Sequence, residues 1–296
     1  MTKANPFHEI YNTERYNKPH QFPLAPFPFI LDVEVTNYCN LNCLMCGRTE
    51  MTRPVGFMSQ GMFERIVDEV ASHGSAIRLI RFGEPFSHPD IYDMIGYASY
   101  YMPIHVTTNG LGKYHDNDRI LESGLSSIIF SVQGTDAEEY EYMRKNKGYY
   151  ILKREIKGLV SLRGERDLPF IQVNSTILDE TQEQIDTFLD YWQFVDKVDY
   201  WYTSFERLKN VDDKLRARQR VQEHTSNGFR CNEVMTKLSV NWNGDVTACC
   251  GDFDGELVVG NILDKSLKSI WQGKAMAKIR NSIDTIPFCK LCTSKF

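Results

Sequence analysis

The chain has 296 residues, 42% of them hydrophobic and 25% charged, with a formal net charge of −5. That length allows one large α/β domain plus a small appendage, and the composition is that of a chain folded throughout. The acidic balance argues against a broad phosphate-binding surface, and no apolar run approaches the roughly 20 residues that span a bilayer. The start, "MTKANPFHEI", lacks the apolar stretch of a secretory signal, so a soluble cytoplasmic protein without membrane or nucleic-acid partners is expected.

Residues 1–29 read as an N-terminal arm in which Pro19, Pro23, Pro26 and Pro28 oppose regular helix and central strand. It is expected to pack on the outside of the domain or to cover a substrate opening. From Ile30 onward, short β-branched runs alternate with amphipathic stretches. "ILDVEVT" predicts the first strand, and "SQGMFERIVDEVASHG" predicts a helix capped by Ser59, with Met62, Phe63, Ile66, Val67 and Val70 on its apolar face. Strands are predicted again at "AIRLIRF", "PIHVTT", "SSIIFSV", "FIQVNST" and "KVDYWYT", with helices near 89–101, 116–123, 137–145, 150–162 and 181–194. Six βα repeats fit a doubly wound sheet or a partial barrel, and periodicity alone does not separate them.

The basic run "KLRARQR", Lys214 to Arg220, follows Asp212 and Asp213 and reads as a solvated helix face rather than a nucleic-acid site. After Ser204 the pattern changes. "KLSVNWNGDVTAC" predicts a hairpin turning at Asn243 and Gly244, and two short helical segments, "SLKSIWQ" and "AMAKIRNS", lead to "FCKLC". Residues 30–224 are therefore taken as the main domain and 225–296 as a second one, too small for much core and in need of a metal site.

Eight cysteines could form four disulfides, but their tight local spacing and a reducing compartment favour metal ligation. "CNLNCLMC" places Cys39, Cys43 and Cys46 on the loop after the first strand. Three thiolates can hold three irons of a [4Fe–4S] cluster and leave the fourth open, whereas structural zinc takes four closed ligands. Here the chain resembles the radical S-adenosylmethionine (SAM) enzymes. The resemblance implies that SAM chelates the open iron and that an electron from a donor such as flavodoxin or ferredoxin releases a 5′-deoxyadenosyl radical. It also implies SAM-pocket roles for Gly83, Glu84 and Pro85 of "RFGEP", where Phe82 replaces the family's first glycine. Further SAM-pocket positions are Thr108 and Asn109 of "TTNG", Ser131 of "FSVQG", and Asn174. Met45 stands where many members carry an aromatic, which leaves adenine packing open. The similarity covers roughly residues 30–205 and implies a partial (β/α)6 barrel.

Cys231, Cys249, Cys289 and Cys292 form a second, closed group that suits zinc or a complete [4Fe–4S] cluster. This segment resembles the Twitch domain, a shortened SPASM domain, which implies one auxiliary cluster fully ligated by protein. Cys250 is left over. Alternation along a strand would aim it away from a cluster held by Cys249, and a negatively charged cluster would keep its S–H protonated. It is then either a small buried hydrophobe or a hydrogen-atom donor. The resemblance implies an epimerase using Cys250 on a sugar, aminoglycoside or similar small polar substrate. The alternatives are a dehydrogenase that passes an electron to the auxiliary cluster, a peptide-modifying enzyme, or a non-catalytic iron–sulfur or zinc protein. A peptide substrate would call for a leader-binding module, which the arm before Ile30 is too short to supply. Tyr200, Tyr202, Glu206 and Arg207 in "YWYTSFER" are candidates for substrate binding or for aromatic core.

Overall fold

Six strands, β1 (Ile30–Val33), β2 (Ala76–Leu79), β3 (Ile104–Thr108), β4 (Ser127–Gln133), β5 (Phe170–Ile177) and β6 (Lys197–Tyr202), coincide with the six apolar runs read from the sequence. The computed structural model describes residues 3–220 and 230–292. All six strands pair in parallel with their sequence neighbours, in the order β6-β5-β4-β3-β2-β1. A doubly wound sheet reverses its strand order partway across, whereas monotonic order is that of a barrel, here a partial one. The first barrel helix, Gln60–Ala71, starts where Ser59 accepts the Met62 amide, and it buries Phe63, Ile66, Val67 and Val70. Leu31 and Val33 pack into that helical layer. By period-two alternation, Asp32 and Glu34 then project from the opposite face into the barrel lumen, and both are buried.

The C-terminal segment continues the same sheet. Strand β7 (Lys237–Val240) runs parallel to β1, with Ile30 opposite Lys237 and Val33 opposite Val240. Strands β8 (Asp245–Thr247) and β9 (Val258–Asn261) add antiparallel, giving nine strands in one sheet. The turn between β7 and β8 falls at Asn243 and Gly244 as expected, and Gly244 takes φ +88, a conformation natural to glycine. Strand β9 was not anticipated, although Asp254 and Gly255 form a turn signal before it, because its four residues gain their structure from pairing with β8. The expected boundary near residue 225 lies outside the described residues.

The arm departs from expectation. Two one-turn helices, His8–Tyr11 and Glu14–Asn17, precede Pro19, Pro23, Pro26 and Pro28, and a 3-10 turn, Pro19–Gln21, begins at Pro19, where its missing N–H costs nothing. Phe7 is 1% exposed and meets the His105 ring edge-on at 6.0 Å. His105 lies at the start of β3, so the arm plugs the N-terminal end of the barrel rather than lying on its outside or over the cysteine loop. Trp271 Nε1 and Gln272 Nε2 tie the arm to the C-terminal segment by donating to the carbonyls of Ala25 and Pro26. Phe7→Ala is expected to cost about 3–5 kcal/mol, the range for a large buried aromatic, read as a lower midpoint in urea unfolding.

The basic run is likewise not a solvated face. Within and after the helix Asp213–Ala217, Arg216 donates to the carbonyls of Phe205 and Leu208, and Arg218 pairs with Asp179 and Glu139. Arg220 donates to Tyr202 Oη and the Glu180 carbonyl. Leu215 joins Met143, Leu178, Phe205 and Leu208 in a small core against which Leu44, Met45 and Phe253 pack. The run thus clamps residues 203–220 over the cysteine-loop end of the barrel. Among the described residues no helix is long and apolar enough to cross a membrane.

Candidate active site

Cys39, Cys43 and Cys46 lie on the loop that leaves the C-terminal end of β1, with Cys43 buried and the other two partly so. The strand ends beside them fix this loop. Gly83 has φ +129, and a Cβ there would stand 2.1 Å from the Thr36 carbonyl oxygen, so only glycine lets the second strand end approach the first. Glu84 is buried and accepts from Phe86 N, Thr108 Oγ1 (2.7 Å) and Asn109 N (2.7 Å). It thereby staples "GEP" to "TNG", and Pro85 opens the short 3-10 turn that follows. Burial pushes the Glu84 carboxyl up despite these three donors. The structure brings Gly83, Glu84, Pro85, Thr108 and Asn109 together around Cys39. Ser131 and Asn174 sit farther across the sheet as register partners on β4 and β5.

The sulfur atoms face donors suited to thiolates. Leu41 N lies 3.4 Å from Cys39 Sγ, Asn109 Nδ2 3.6 Å from the same sulfur, and Arg144 Nη1 3.7 Å from Cys43 Sγ. Arg144 is buried, its Nη2 donates to the Ser131 and Val132 carbonyls, and its Nε has no partner. A buried guanidinium aimed at a cysteine sulfur fits an anionic centre. Burial pushes the Cys39 thiol up to about 12, with Glu84 adding to it, and burial also raises Cys46. Three thiols in these surroundings and the buried arginine fit an iron–sulfur cluster with one open iron.

The second group assembles from distant segments. Cys231 precedes the turn Glu233–Thr236, Cys249 follows β8, and Cys289 and Cys292 flank the end of the turn Pro287–Lys290. Gly251 N lies 3.4 Å from Cys249 Sγ. The Arg207 guanidinium stacks 4.1 Å over Phe288, and a Cβ on Gly251 would lie 2.4 Å from its Nη1. The Cys249 thiol is held low, first by its hydrogen bond with Cys250 and further by Arg207. Among the described residues no three of these sulfurs lie within 4.8 Å of one another. Four thiols drawn from three segments suit either tetrahedral zinc or a complete [4Fe–4S] cluster.

Cys250 departs from expectation. Strand β8 ends at Thr247, so Cys249 and Cys250 lie in the following turn and strand alternation does not govern them. Nor is Cys250 a buried hydrophobe, since the residue is exposed. Its Sγ is 3.9 Å from Glu233 Oε2, and it lies within 4.8 Å of the Asp32 carboxylate as well as that of Glu233. Although the residue as a whole is exposed, its sulfur is enclosed, and the thiol is pushed well up, first by the hydrogen bond with Cys249, then by burial, with Glu233 adding to it.

Several residues that join the two cysteine groups were not found by sequence reasoning. Arg81, on a left-handed φ of +146, donates to the carbonyls of Cys249 (3.1 Å) and Asp252 (2.8 Å). Arg53 forms a two-pronged pair with Glu34 and donates to the Phe253 carbonyl, and Phe253 packs where a Gly47 side chain would go. The acidic alternation Asp32, Glu34 in an otherwise apolar strand was a readable signal for charges in the lumen. Arg144 had none. Of the "YWYTSFER" candidates, Tyr202 is bonded to Arg220, Glu206 accepts from Gln219, and Arg207 sits at the second cysteine group. Trp201 is 49% exposed and lines the lumen, so the segment is not aromatic core.

The lumen encloses a cavity of about 160 Å³ between the arm and the strand ends, bordered by Phe7, Arg78, His105, Ser131, Asn174 and Trp201 among others.

Residues 33–192 match the Radical SAM superfamily, and residues 231–293 match the SPASM iron–sulfur cluster-binding domain. AdoMet-dependent heme synthase of Methanosarcina barkeri is 30% identical over 161 residues, which is 53% of this chain and 45% of that protein. The antilisterial bacteriocin subtilosin biosynthesis protein AlbA of Bacillus subtilis is 21% identical over 281 residues, 86% of this chain and 62% of that one. The chain spans about half the length of the curated relatives it matches. Among solved structures, BtrN in complex with AdoMet and 2-DOIA superposes with a TM-score of 0.60 at 16% identity, covering 90% of this chain and 94% of that one. SuiB of Streptococcus suis bound to precursor peptide SuiA gives 0.69 at 17% identity, covering 99% and 77%. With the first domain match spanning more than half of its length, the chain belongs to the radical SAM superfamily, an enzyme whose partial barrel takes SAM and a [4Fe–4S] cluster and whose C-terminal SPASM segment takes auxiliary iron–sulfur.

Proposed function

We propose that the protein is a radical SAM epimerase of a small polar substrate, with Cys39, Cys43 and Cys46 holding the SAM cluster and Cys231, Cys249, Cys289 and Cys292 an auxiliary one. SAM and its cluster, when bound, supply the 5′-deoxyadenosyl radical that takes a hydrogen atom from a substrate carbon. Gly83, Glu84, Pro85, Thr108, Asn109, Ser131 and Asn174 border SAM in this reading. Cys250 then gives its S–H hydrogen to the opposite face of the carbon radical, breaking S–H and forming C–H. The resulting thiyl is returned to thiol by one electron from an external donor of the flavodoxin or ferredoxin class and one proton from solvent. The observation that carries the reading is the position of Cys250: a thiol outside the ligand set, beside Asp32, whose side chain projects into the lumen.

Turnover in D2O is expected to place one deuterium at an inverted carbon. Cys250→Ala should still form 5′-deoxyadenosine but lose the inverted product by at least about a hundredfold, the scale for removing a group that acts directly in proton or hydrogen transfer. A ketone from the unmodified enzyme would instead establish a dehydrogenase with the auxiliary cluster as acceptor. A peptide substrate is the second reading, and what favours it is coverage: AlbA and the mycofactocin maturase MftC of Mycobacterium tuberculosis match 86% and 90% of this chain.

A further inference from the structure

The lumen cavity has an uneven charge lining. Arg78 borders it and is the one ionised group to do so among the described residues, no carboxylate being present in the lining. His105 stays neutral because burial, with Arg78 adding to it, pushes it down to about 3. Its ring bonds Ser127 Oγ at 2.7 Å and Thr107 Oγ1 at 2.9 Å. The carboxylates behind the lining are each engaged by a cation. Arg78 gives Nε and Nη2 to Asp32 at 2.6 and 2.8 Å, Lys237 pairs with Glu233, and Lys197 pairs with Asp199 at the open edge on β6. Arg78 Nη1 has no hydrogen-bond partner among the described residues, and the side chain keeps 17% exposure.

We infer that the lumen takes a single-ring, polyhydroxylated substrate bearing an anionic group, a phosphate or carboxylate, which Arg78 Nη1 recognises, and that it rejects polycationic aminosugars. This rests on the reading of the lumen as the substrate site and narrows its substrate class. The physical reason is desolvation. An ammonium carried into this cavity would find hydroxyl and amide acceptors but no free carboxylate, and a buried unpaired charge is costly. An anion instead meets a guanidinium held in place by Asp32, whose Nη1 is not taken by another group among the described residues. Gln172 offers neutral hydrogen bonds to hydroxyls, and Trp201 and Tyr11 offer apolar faces for a sugar ring. The volume of about 160 Å³ is below the roughly 300 Å³ at which drug-sized pockets begin, which favours one ring over two.

The test is anaerobic calorimetry on the iron-loaded enzyme with SAM, using four probes that differ at one position: glucose, glucose 6-phosphate, glucuronate and 6-amino-6-deoxyglucose. At least one of the two anions is expected to bind about tenfold or more tighter than glucose, a charge-assisted bond exceeding a neutral one by about 1.4 kcal/mol, and the amine weaker than glucose. In the double variant Arg78→Met with Asp32→Leu, which removes the pair without leaving an orphan carboxylate, the anion preference should fall to about one. Gln172→Glu, which adds a carboxylate to the lining at constant size, should weaken anion binding and admit the amine even if the double variant does not fold. Preference for the amine in the unmodified enzyme, no saturable binding of either anion, or anion preference surviving both variants overturns the inference. The epimerase reading fails separately: solvent deuterium at an inverted carbon of a cationic substrate would keep that reading and reject this one.

Discussion

Replacing Cys39, Cys43 and Cys46 together by alanine is expected to reduce 5′-deoxyadenosine formation to background while bound iron falls from about eight to about four per chain, one cube of the two being lost. The reason is topological. The three cysteines lie on one loop after β1, and the other four come from the turn after β8, the turn before β7 and the C-terminal turn, so each set can be removed without touching the ligands of the other. Iron and acid-labile sulfide assays on anaerobically reconstituted protein provide the readout, with SAM cleavage under dithionite as the activity. Retention of eight irons would show that the cysteine loop holds none. Two firmly bound zincs with no SAM cleavage in the unmodified protein would instead return the non-catalytic reading. The second set, replaced alone, should leave SAM cleavage measurable but destabilise the fold, because β7 is hydrogen-bonded to β1 along its whole length.

Arg144→Met is expected to cost about 3 kcal/mol or more in the loaded protein and to move the midpoint potential of the first cluster to more negative values. The guanidinium supplies three things at once: donors to the Ser131 and Val132 carbonyls, a donor to Cys43 Sγ, and a buried positive charge beside what becomes an anionic centre. Removing it leaves two carbonyls short of donors and the cluster without that charge. A reduced cluster carries one more negative charge than an oxidised one, so losing a nearby cation disfavours reduction. Arg144→Lys should recover part of the potential and less of the stability, because an ammonium cannot reproduce the fork that reaches both carbonyls and sulfur. A redox titration followed by electron paramagnetic resonance checks this. An unchanged potential with only a lower melting temperature would reduce Arg144 to a structural role.

The residues involved show what was readable from the chain and why. The six barrel strands appear at the six apolar runs because a parallel strand buried on both sides needs a short β-branched stretch, and helices between them need a 3.6-residue stripe. The Ser59 cap and the Asn243-Gly244 turn are local, decided by bonds within a few residues. The two cysteine groups were legible for the same reason in part: Cys39, Cys43 and Cys46 share one loop, and Cys289 and Cys292 one turn. Strand β9 and the arm helices were missed because what stabilises them is remote, β8 in one case and the barrel floor in the other. The basic run was misread because charge spacing along a helix says nothing about the carbonyls and carboxylates that meet it from other segments.

The sequence by itself determined the fold class and the family and singled out candidate metal ligands, because these depend on periodicity and short spacings. Only the tertiary structure decided what surrounds them. It set Arg144 against Cys43 across 101 residues, fastened Arg81 to the Cys249 loop across 168, and carried Cys250 to within reach of Asp32. It also paired the Asp32, Glu233 and Asp199 carboxylates with cations and left Arg78 Nη1 without a hydrogen-bond partner among the described residues. Such contacts follow from the register of a nine-stranded sheet, in which a shift of one residue would turn Asp32 and Glu34 out of the lumen.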